Sequence, residues 1–440
     1  MLVLDAPDPS FEVVQALAGG ETRSETACSE AAQGDDRLFA ACIAAQREFH
    51  IDPYGGMSFC YFVKDPALRF DLRQGSFSQA WDEFIPGLAE TVRGGPEYLQ
   101  NCGSCDLRSD CRWCAVYGYL EHGRFSAKVD YLCQVAAANR RYKEDWKLEH
   151  LRYYQIAGLT IQVAAGFPIT ENTFDSKFSA FRVDGPGEDT ISIRLESPIP
   201  ARTEIRLGKE FYRHPPWAIY RQSQSWVYMG IQPDGSDDEH PHGLAIFDAD
   251  HSRGSIYRPE GVYEKGGFGS LTTFPSDQIL LARVLADRQG CYLHSSGIIM
   301  DGQGLLFVGH SEAGKSTMLK MLRESGEILC DDRNIVRRWP EGFKVHGTWS
   351  HGELSDVSPA GAPLRAILFL EKAGANELIP ISDKMERIGK ILSYVVRPLV
   401  DAGWWEKTLD LAEMIADEVP AYRLRFDKSG GVQEVIQTLL

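Results

Sequence analysis

The chain has 440 residues, with 62 Asp and Glu against 46 Lys and Arg, which gives a formal net charge of −16. This length is sufficient for two or three domains, each with a core of its own. The acidic balance argues against a nucleic-acid backbone as a partner, because no cationic excess exists to displace counterions from phosphates.

The first residues, MLVLDAPDPSFEVV, contain two aspartates and two prolines before any long apolar run, so we do not expect them to form a signal peptide. No segment approaches the roughly 20 apolar residues that a membrane-spanning helix requires. We therefore expect a cytoplasmic protein without a membrane partner. In the reducing cytosol, clustered cysteines more often bind metal than form disulfides.

Cysteine is concentrated near the N-terminus. Two Cys-x2-Cys pairs, Cys102/Cys105 and Cys111/Cys114, allow neighbouring thiolates to reach one centre from a tight turn. Eight cysteines make two complete four-cysteine sites, and soft thiolate ligands select iron–sulfur clusters or zinc. The eight are Cys28, Cys42, Cys60, Cys102, Cys105, Cys111, Cys114 and Cys133.

This spacing, together with the phrase FHIDPYGGMSFC at 49–60, resembles the SPASM domain over about residues 25–135. That domain is the cysteine-rich extension of radical S-adenosylmethionine (SAM) enzymes that modify peptides. The resemblance implies a small iron–sulfur domain with two [4Fe–4S] clusters. By position, Cys28, Cys42, Cys60 and Cys114 would hold one cluster, and Cys102, Cys105, Cys111 and Cys133 the other. Two zinc sites are the alternative, since zinc accepts the same thiolate shells.

The C-x3-C-x2-C motif that holds the radical-generating cluster of those enzymes does not occur in the sequence. The module is therefore expected to act without a radical core, as a peptide-binding or electron-relay piece. The alternative is that the reading frame is truncated and that the complete protein is a radical SAM enzyme fused to a kinase.

After the cysteines the pattern changes. The segment QVAAANRRYKEDWKLEH (134–150) predicts a helix that joins the first part to the next. AGLTIQV (157–163) and TISIRL (190–195) alternate apolar and polar residues with the period of a strand. WAIYRQSQSWVYMG (217–230) predicts two aromatic strands around a polar turn.

We therefore predict three segments: a cysteine-rich domain at 1–147, a β-rich segment at 148–276 and an α/β domain at 277–440 in which helices and strands alternate. The elements predicted in the α/β domain are strands at 304–308, 327–330, 366–370 and 422–426, and helices at 316–324, from the Ser382/Asp383 cap onward, and at 406–418.

The sequence GHSEAGKST at 309–317 satisfies the phosphate-loop pattern G-x4-G-K-[ST] between a predicted strand and a predicted helix. Backbone N–H groups of such a loop cradle phosphate oxygens. Lys315 would neutralise the β- and γ-phosphates, and Ser316 would bind Mg²⁺. The predicted nucleotide-binding residues are Gly309, His310, Ser311, Glu312, Ala313, Gly314, Lys315, Ser316 and Thr317.

The acidic pair Asp331–Asp332 closes the next predicted strand. At the carboxyl edge of a sheet, beside bound phosphates, such carboxylates hold Mg²⁺ through water or accept a proton from an attacking hydroxyl. Further on, His346 and His351 raise the question of a metal pair, although histidines in a polar loop are also ordinary loop residues.

The stretch 293–317 followed by 328–336 resembles the HPr serine kinase/phosphorylase family, whose P-loop fold is related to phosphoenolpyruvate carboxykinase. Residues 150–440 as a whole resemble HPr-kinase-like proteins of peptide-modification gene clusters, including the SynChlorMet-type cassettes. The resemblance implies a P-loop α/β domain preceded by a β-rich subdomain. It also implies Asp332 as proton acceptor with Asp331 beside it, His294 as an active-site histidine and Glu353 as a second Mg²⁺ ligand.

Two features depart from that family. Glu312 stands where a glycine is usual, and the C-terminal signature of true HPr kinases is not recognisable. Arg397 is a further candidate for stabilising transferred phosphate. Because HPr kinases assemble into rings, the resemblance also allows an oligomer.

The expected function is ATP-dependent phosphorylation of a Ser or Thr hydroxyl on a ribosomally made precursor peptide or a small protein. The alternative is a non-catalytic ATP-dependent scaffold that presents the peptide to a separate radical SAM enzyme.

Overall fold

The computed structural model describes residues 35–40, 42, 44–201, 203–222, 224–232, 241–272, 274, 277–398 and 402–440. The chain divides into two compact units, Met1–Lys147 and Leu148–Leu440. The predicted ligand Cys28 lies outside the described residues. Among the helices that are described, none is long and apolar enough to cross a lipid bilayer.

The first unit is built from short elements. Its sheet has three antiparallel strands, β1 (His50–Ile51), β2 (Gly56–Ser58) and β3 (Phe70–Asp71). Its helices are α1 (Ala44–Arg47), α2 (Ile85–Thr91), α3 (Gly95–Tyr98), α4 (Ala115–His122) and α5 (Asp130–His150), the last ending in the second unit. Helical turns of the π type at Gln79–Phe84 and Leu99–Gly103 adjoin α2 and α3, and 3-10 turns occur at Pro66–Leu68 and Arg108–Asp110. Helix α5 confirms the helix predicted over 134–150.

The phrase FHIDPYGGMSFC forms the β1–β2 hairpin. The Asp52 carboxylate accepts hydrogen bonds from the backbone N–H groups of Tyr54 and Gly56, both at 2.8 Å, and Gly55 supplies the positive φ of 85° that the turn needs. Directly after the hairpin, Phe59 is buried in the core of the unit.

The second unit begins with a sheet whose strand order is β6-β4-β5-β7-β12-β11-β10-β9-β8. Its strands are β4 (Leu151–Ile156), β5 (Leu159–Ala165), β6 (Arg182–Val183), β7 (Thr190–Glu196), β8 (Lys209–His214), β9 (Trp217–Arg221), β10 (Ser225–Gly230), β11 (Gly243–Asp248) and β12 (Arg253–Tyr257). A 3-10 helix at Ser176–Phe181 and the short helix α6 (Val262–Lys265) lie between strands.

The alternating patterns predicted β5 and β7, with one difference in burial. Strand β7 alternates buried and half-buried residues, as its period of two predicts. In β5 the polar residues Thr160 and Gln162 are buried as well, because both faces of that strand are covered. The predicted aromatic strand pair at 217–230 is the antiparallel pair β9–β10.

The second sheet contains strands β13 (Gly290–Met300), β14 (Gln303–Val308), β15 (Glu327–Cys330), β16 (Arg333–Trp339), β17 (Gly342–His346), β18 (Gly361–Lys372), β19 (Glu377–Pro380) and β20 (Ala421–Phe426). The long strands β13 and β18 each pair with different neighbours along their length. As a result β14, β13, β16, β17 and β18 form a closed ring of hydrogen-bonded strands. The helices are α7 (Gln278–Ala286), α8 (Lys315–Leu322), α9 (Lys384–Tyr394), α10 (Ala402–Glu418) and α11 (Val432–Gln437).

All of the strands and helices predicted for 277–440 are present, but the predicted alternation of helix and strand is wrong for much of this segment. Strands β13–β14 and β16–β17 are antiparallel hairpins without an intervening helix. The first hairpin turns at Asp301 and Gly302, with φ of 47° and 74°. Two successive positive φ values match the Asp-Gly type I′ turn, which closes a tight hairpin and leaves no room for a crossover helix.

Four strands of this sheet run in the same direction. Strands β14 and β15 are both antiparallel to β13, which lies between them, and β18 and β20 follow β14 in parallel. Their carboxyl ends therefore meet at one edge. Helix α8, which follows β14, packs Met318, Leu319 and Leu322 into the core beneath that edge.

Candidate functional sites

The phosphate-loop motif lies between β14 and α8, so the strand–loop–helix context predicted for it is confirmed. Gly314, with φ of 103°, immediately precedes the helix. A Cβ at Gly314 would lie 2.7 Å from the Phe426 ring, and one at Gly309 would lie 2.5 Å from the Ala313 side chain. Both glycines are therefore required by close packing around the loop.

A cavity of about 720 Å³ opens where the four co-directed strands end. The sequence-predicted residues His294, Lys315, Asp331, Asp332 and Glu353 all line it. Its full lining is these five with Ser311, Glu312, Gly314, Ser316, Thr317, Gly352, Lys372, Ala373, Phe426, Asp427 and Lys428. The structure thus brings together residues from β13, the loop, β15 and the ends of β18 and β20.

At the centre of the cavity three side chains form a hydrogen-bonded chain. The Lys315 ammonium donates to Nε2 of His294 at 2.9 Å, and Nδ1 of His294 lies 3.2 Å from Oδ1 of Asp332. Because a lysine ammonium has only donors, Nε2 must be the acceptor, and the His294 proton lies on Nδ1, facing the carboxylate. Asp332 is therefore linked to the loop lysine through one imidazole.

The surroundings of Asp332 and Lys315 determine the charge states of these two side chains. Burial by itself raises the pKa of the Asp332 carboxyl, but the hydrogen bond from His294 and the charge of Arg333 outweigh it, so the pKa lies below its usual value. Burial lowers the pKa of Lys315, against the attraction of Asp332 and Asp331. Asp332 is ionised at neutral pH and can accept a proton.

The Lys315 ammonium is also held by the loop itself. It donates to the carbonyl oxygens of Gly309 at 3.0 Å and of His310 at 3.3 Å, and the residue is only 8% exposed. In this arrangement the ammonium satisfies the loop carbonyls and is positioned at the floor of the cavity.

Asp331 has a different role from its neighbour. It is 2% exposed and accepts from the backbone N–H groups of Gly352 at 2.6 Å and Leu354 at 2.9 Å. It also accepts from the Ser316 hydroxyl at 3.0 Å. One carboxylate therefore joins the end of β15, the first turn of α8 and the loop at 352–354.

Two acidic residues of the cavity are exposed. Glu312 has a φ of 67°, in the left-handed region that glycine adopts without strain. Glu353 forms an exposed ion pair with Lys320 at 3.1 Å. Neither carboxylate is fixed inside the cavity by a buried partner.

Three other candidates lie elsewhere. His346 accepts from Nε1 of Trp339 at 3.1 Å, whereas His351 contacts the carbonyl oxygen of Gly352 at 3.4 Å, so the two histidines have different neighbours and do not form a metal pair. The Arg397 guanidinium lies 5.2 Å from the centre of the Trp405 ring and is not among the residues that line the cavity.

Sequence reasoning missed Lys372, Phe426, Asp427 and Lys428. Lys372 and Phe426 are the last residues of β18 and β20, and Asp427 and Lys428 follow β20. They reach the cavity because both strands run parallel to β14. Only the sheet order brings them to the cavity, and no local motif marks them.

In the first unit, all seven described cysteines of the N-terminal set are half-buried free thiols. Burial, followed by the charges of Cys133, Cys111 and Cys105, raises the pKa of Cys102 to about 12. Cys102 therefore lies close enough to these three cysteines to interact with them electrostatically.

The other described thiols form a second group. Burial raises the pKa of Cys114, with further contributions from Cys42 and Cys60, and all three pack on one hydrophobic cluster. The two groups contain the described members of the two predicted ligand sets, and metal binding by these sets stays a prediction. In the described part of the chain, no three His, Cys, Asp or Glu side chains converge as a ready-made site for a metal ion.

Residues 276–440 match the family model described as SynChlorMet cassette protein ScmC. None of the curated proteins compared with the chain matches it. The matched residues include the phosphate loop, the Asp331–Asp332 pair and the whole lining of the cavity at the phosphate loop. The C-terminal part of the chain is thus similar to a protein of the SynChlorMet cassettes.

Proposed function

We propose that the chain transfers the γ-phosphoryl group of ATP to a Ser or Thr hydroxyl of a peptide or small protein, within a peptide-modification cassette. The observation that carries the proposal is the chain Asp332–His294–Lys315 beside the phosphate loop, in a cavity of about 720 Å³. The similarity to a cassette protein supports the setting, and the kinase chemistry rests on the site alone.

The chemistry requires a base, a cation and correct positioning. As the substrate oxygen bonds to the γ-phosphorus, its proton passes to a carboxylate oxygen of Asp332 and the bond to the ADP oxygen breaks. His294, with its proton on Nδ1, holds Asp332 in orientation through the 3.2 Å contact. Lys315 supplies the positive charge at the floor of the loop.

Lys315 must exchange partners to do this. Its ammonium is bonded to two loop carbonyl oxygens and to His294, and a phosphate oxygen offers a charged acceptor in their place. Release of the carbonyl oxygens would open the loop for the phosphates, while the bond to His294 keeps the lysine linked to the base.

Mg²⁺ would neutralise charge on the phosphates. The residues present fit such an ion in part. The Ser316 hydroxyl borders the cavity and is available as a ligand, whereas both oxygens of Asp331 already accept backbone N–H groups. Asp331 therefore orients Ser316, and Glu353, exposed at the rim, completes the acidic surroundings.

For the first unit we propose two [4Fe–4S] clusters, with zinc as the alternative. The donor set is compatible with them, because the described thiols are free and form two groups, and thiolates are the ligands of such clusters and of zinc. Bound clusters would supply electron transfer or a rigid peptide-binding surface, and a separate radical SAM enzyme would be the partner.

The test is an Asp332→Asn protein with Mg·ATP and the precursor peptide of the cassette. Phosphopeptide formation, measured by mass spectrometry, should fall by about 10²–10⁴-fold, the usual contribution of a general base. Nucleotide binding should persist. Asp301→Asn, at the β13–β14 turn where asparagine also tolerates the positive φ, is the matched control. Unchanged phosphorylation in Asp332→Asn would remove this carboxylate from the mechanism.

One observation favours the scaffold as a second candidate. Glu312 places a carboxylate on the cavity wall, where it opposes bound phosphates. The unmodified protein is mixed with ATP and the peptide. Saturable ATP binding without formation of phosphopeptide or free phosphate would favour the scaffold.

A further inference from the structure

A second cavity, of about 420 Å³, lies within the second unit and shares no lining residue with the first. One wall is formed by Gln155 of β4 with Phe181 and Arg182 at edge strand β6. The opposite wall is the β16–β17 hairpin. The volume is within the range of about 300–1,000 Å³ that is typical of small-molecule sites.

The charge of this cavity is opposite to that of the chain. Arg182 and Lys344 line it and no aspartate or glutamate does, although the chain has a net charge of −16. Lys344 forms an ion pair with Glu341 at the surface, and Arg182 is exposed with no ion-pair partner among the described residues. A concave cationic site in an acidic protein concentrates anions.

A directed donor lies in the same wall. His346, 9% exposed, accepts a hydrogen bond from Nε1 of Trp339 at its Nε2 atom. Burial, with the charges of Arg337 and Lys344, lowers the pKa of His346 to about 4, so the ring is neutral at pH 7. Its single proton is then on Nδ1, which faces Gly361 on the cavity wall.

The rest of the wall is apolar and flat. The half-buried Trp339 lines the cavity, next to the buried Phe181. A Cβ at Gly158 would lie 2.5 Å from the Trp339 ring, and one at Gly361 would overlap the His346 ring. Glycine at both positions therefore lets the backbone pack closely against these two rings.

We propose that this cavity binds a small carboxylate with a planar apolar body. The carboxylate pairs with Arg182 and Lys344 and accepts from Nδ1 of His346. The planar body lies beside Trp339. This assignment is independent of the phosphoryl-transfer chemistry at the phosphate loop.

The test is isothermal titration of the full chain with three probes. Indole-3-acetate should bind with a dissociation constant below about 1 mM, and uncharged indole-3-acetamide about 10-fold or more weakly. Inorganic phosphate, which has the charge without the apolar body, should also bind more weakly than indole-3-acetate.

Substitutions in the cavity wall test whether the probe binds in this cavity. Arg182→Gln and Lys344→Gln, both with side chains that reach solvent, should each weaken binding of indole-3-acetate about 10-fold without a change in unfolding temperature. Lys209→Gln, on edge strand β8 at the opposite side of the sheet, should bind like the unmodified chain. No saturable binding up to about 10 mM, or equal affinity in Arg182→Gln, would overturn the proposal.

Discussion

Replacing Asp331 by asparagine is expected to release the 352–354 loop from the floor of the candidate active site. The carboxylate is 2% exposed, and it accepts from Gly352 at Oδ1 and from Leu354 and Ser316 at Oδ2. Asparagine has one acceptor oxygen instead of two. In either orientation its NH₂ group faces at least one backbone N–H, and that donor loses its partner.

The expected loss of loop stability follows from the number of hydrogen bonds that asparagine cannot accept. A buried donor left without a partner costs about 1–3 kcal/mol, and a hydrogen bond to a charged acceptor contributes about 1.5–3 kcal/mol. We expect local opening of the loop to become easier by about 2–4 kcal/mol, because at least one bond is lost and the others lose their charge assistance. This corresponds to amide exchange that is roughly 30- to 1,000-fold faster.

Amide hydrogen exchange at Gly352 and Leu354 is the measurement. Ser316→Ala is the matched control, because it removes the hydroxyl and leaves both amide bonds to Asp331 in place. Its exchange should stay close to that of the unmodified protein. If Asp331→Asn protects both amides as well as the original carboxylate does, the assigned positioning role of Asp331 is incorrect.

Three further outcomes are expected. Asp189→Asn, which breaks the two-pronged pair with Arg288 at 2.6 and 2.7 Å, should lower the free energy of unfolding by about 1–3 kcal/mol in denaturant titrations. The hydrogen bond from Arg288 lowers the pKa of Asp189, so this contribution is present above about pH 4 and is lost as the pH falls through the lowered pKa; a pH-independent difference would contradict it. Glu312→Gly should tighten ATP binding roughly 5-fold in calorimetry, since it removes a carboxylate from the loop, and an unchanged constant would show that Glu312 points away from the phosphates. Cys102→Ser should lower the metal content per chain to about half while Cys291→Ser, whose thiol is buried in the second unit, leaves it unchanged; equal metal content in both would exclude Cys102 as a ligand.

The elements of the site were largely predictable where the signal is local. The phosphate loop is a contiguous motif, and the apolar strand before it and the helix after it are marked by the same stretch of sequence. Strand β7 was predicted for the same reason, because alternation along one strand reports directly which side is buried.

Pairing between strands was less predictable. The sequence of 277–440 predicted alternating helices and strands, but hairpins replaced part of that order. The Asp301–Gly302 dipeptide is the local signal for the first of these hairpins. The burial of Thr160 and Gln162 depends on what covers the second face of β5, which the strand's own sequence does not contain.

Residues close together in the chain encode the two chemically distinct regions, the thiol pairs at Cys-x2-Cys spacing and the phosphate loop, so these features can be recognised without coordinates. Which distant groups share a site depends on how the chain folds. Strand β13 carries His294 to Lys315 and Asp332, and the parallel order of β18 and β20 brings Phe426 to the loop. The second cavity also depends on the tertiary structure, because the residues of its two walls come from two sheets that meet only through packing.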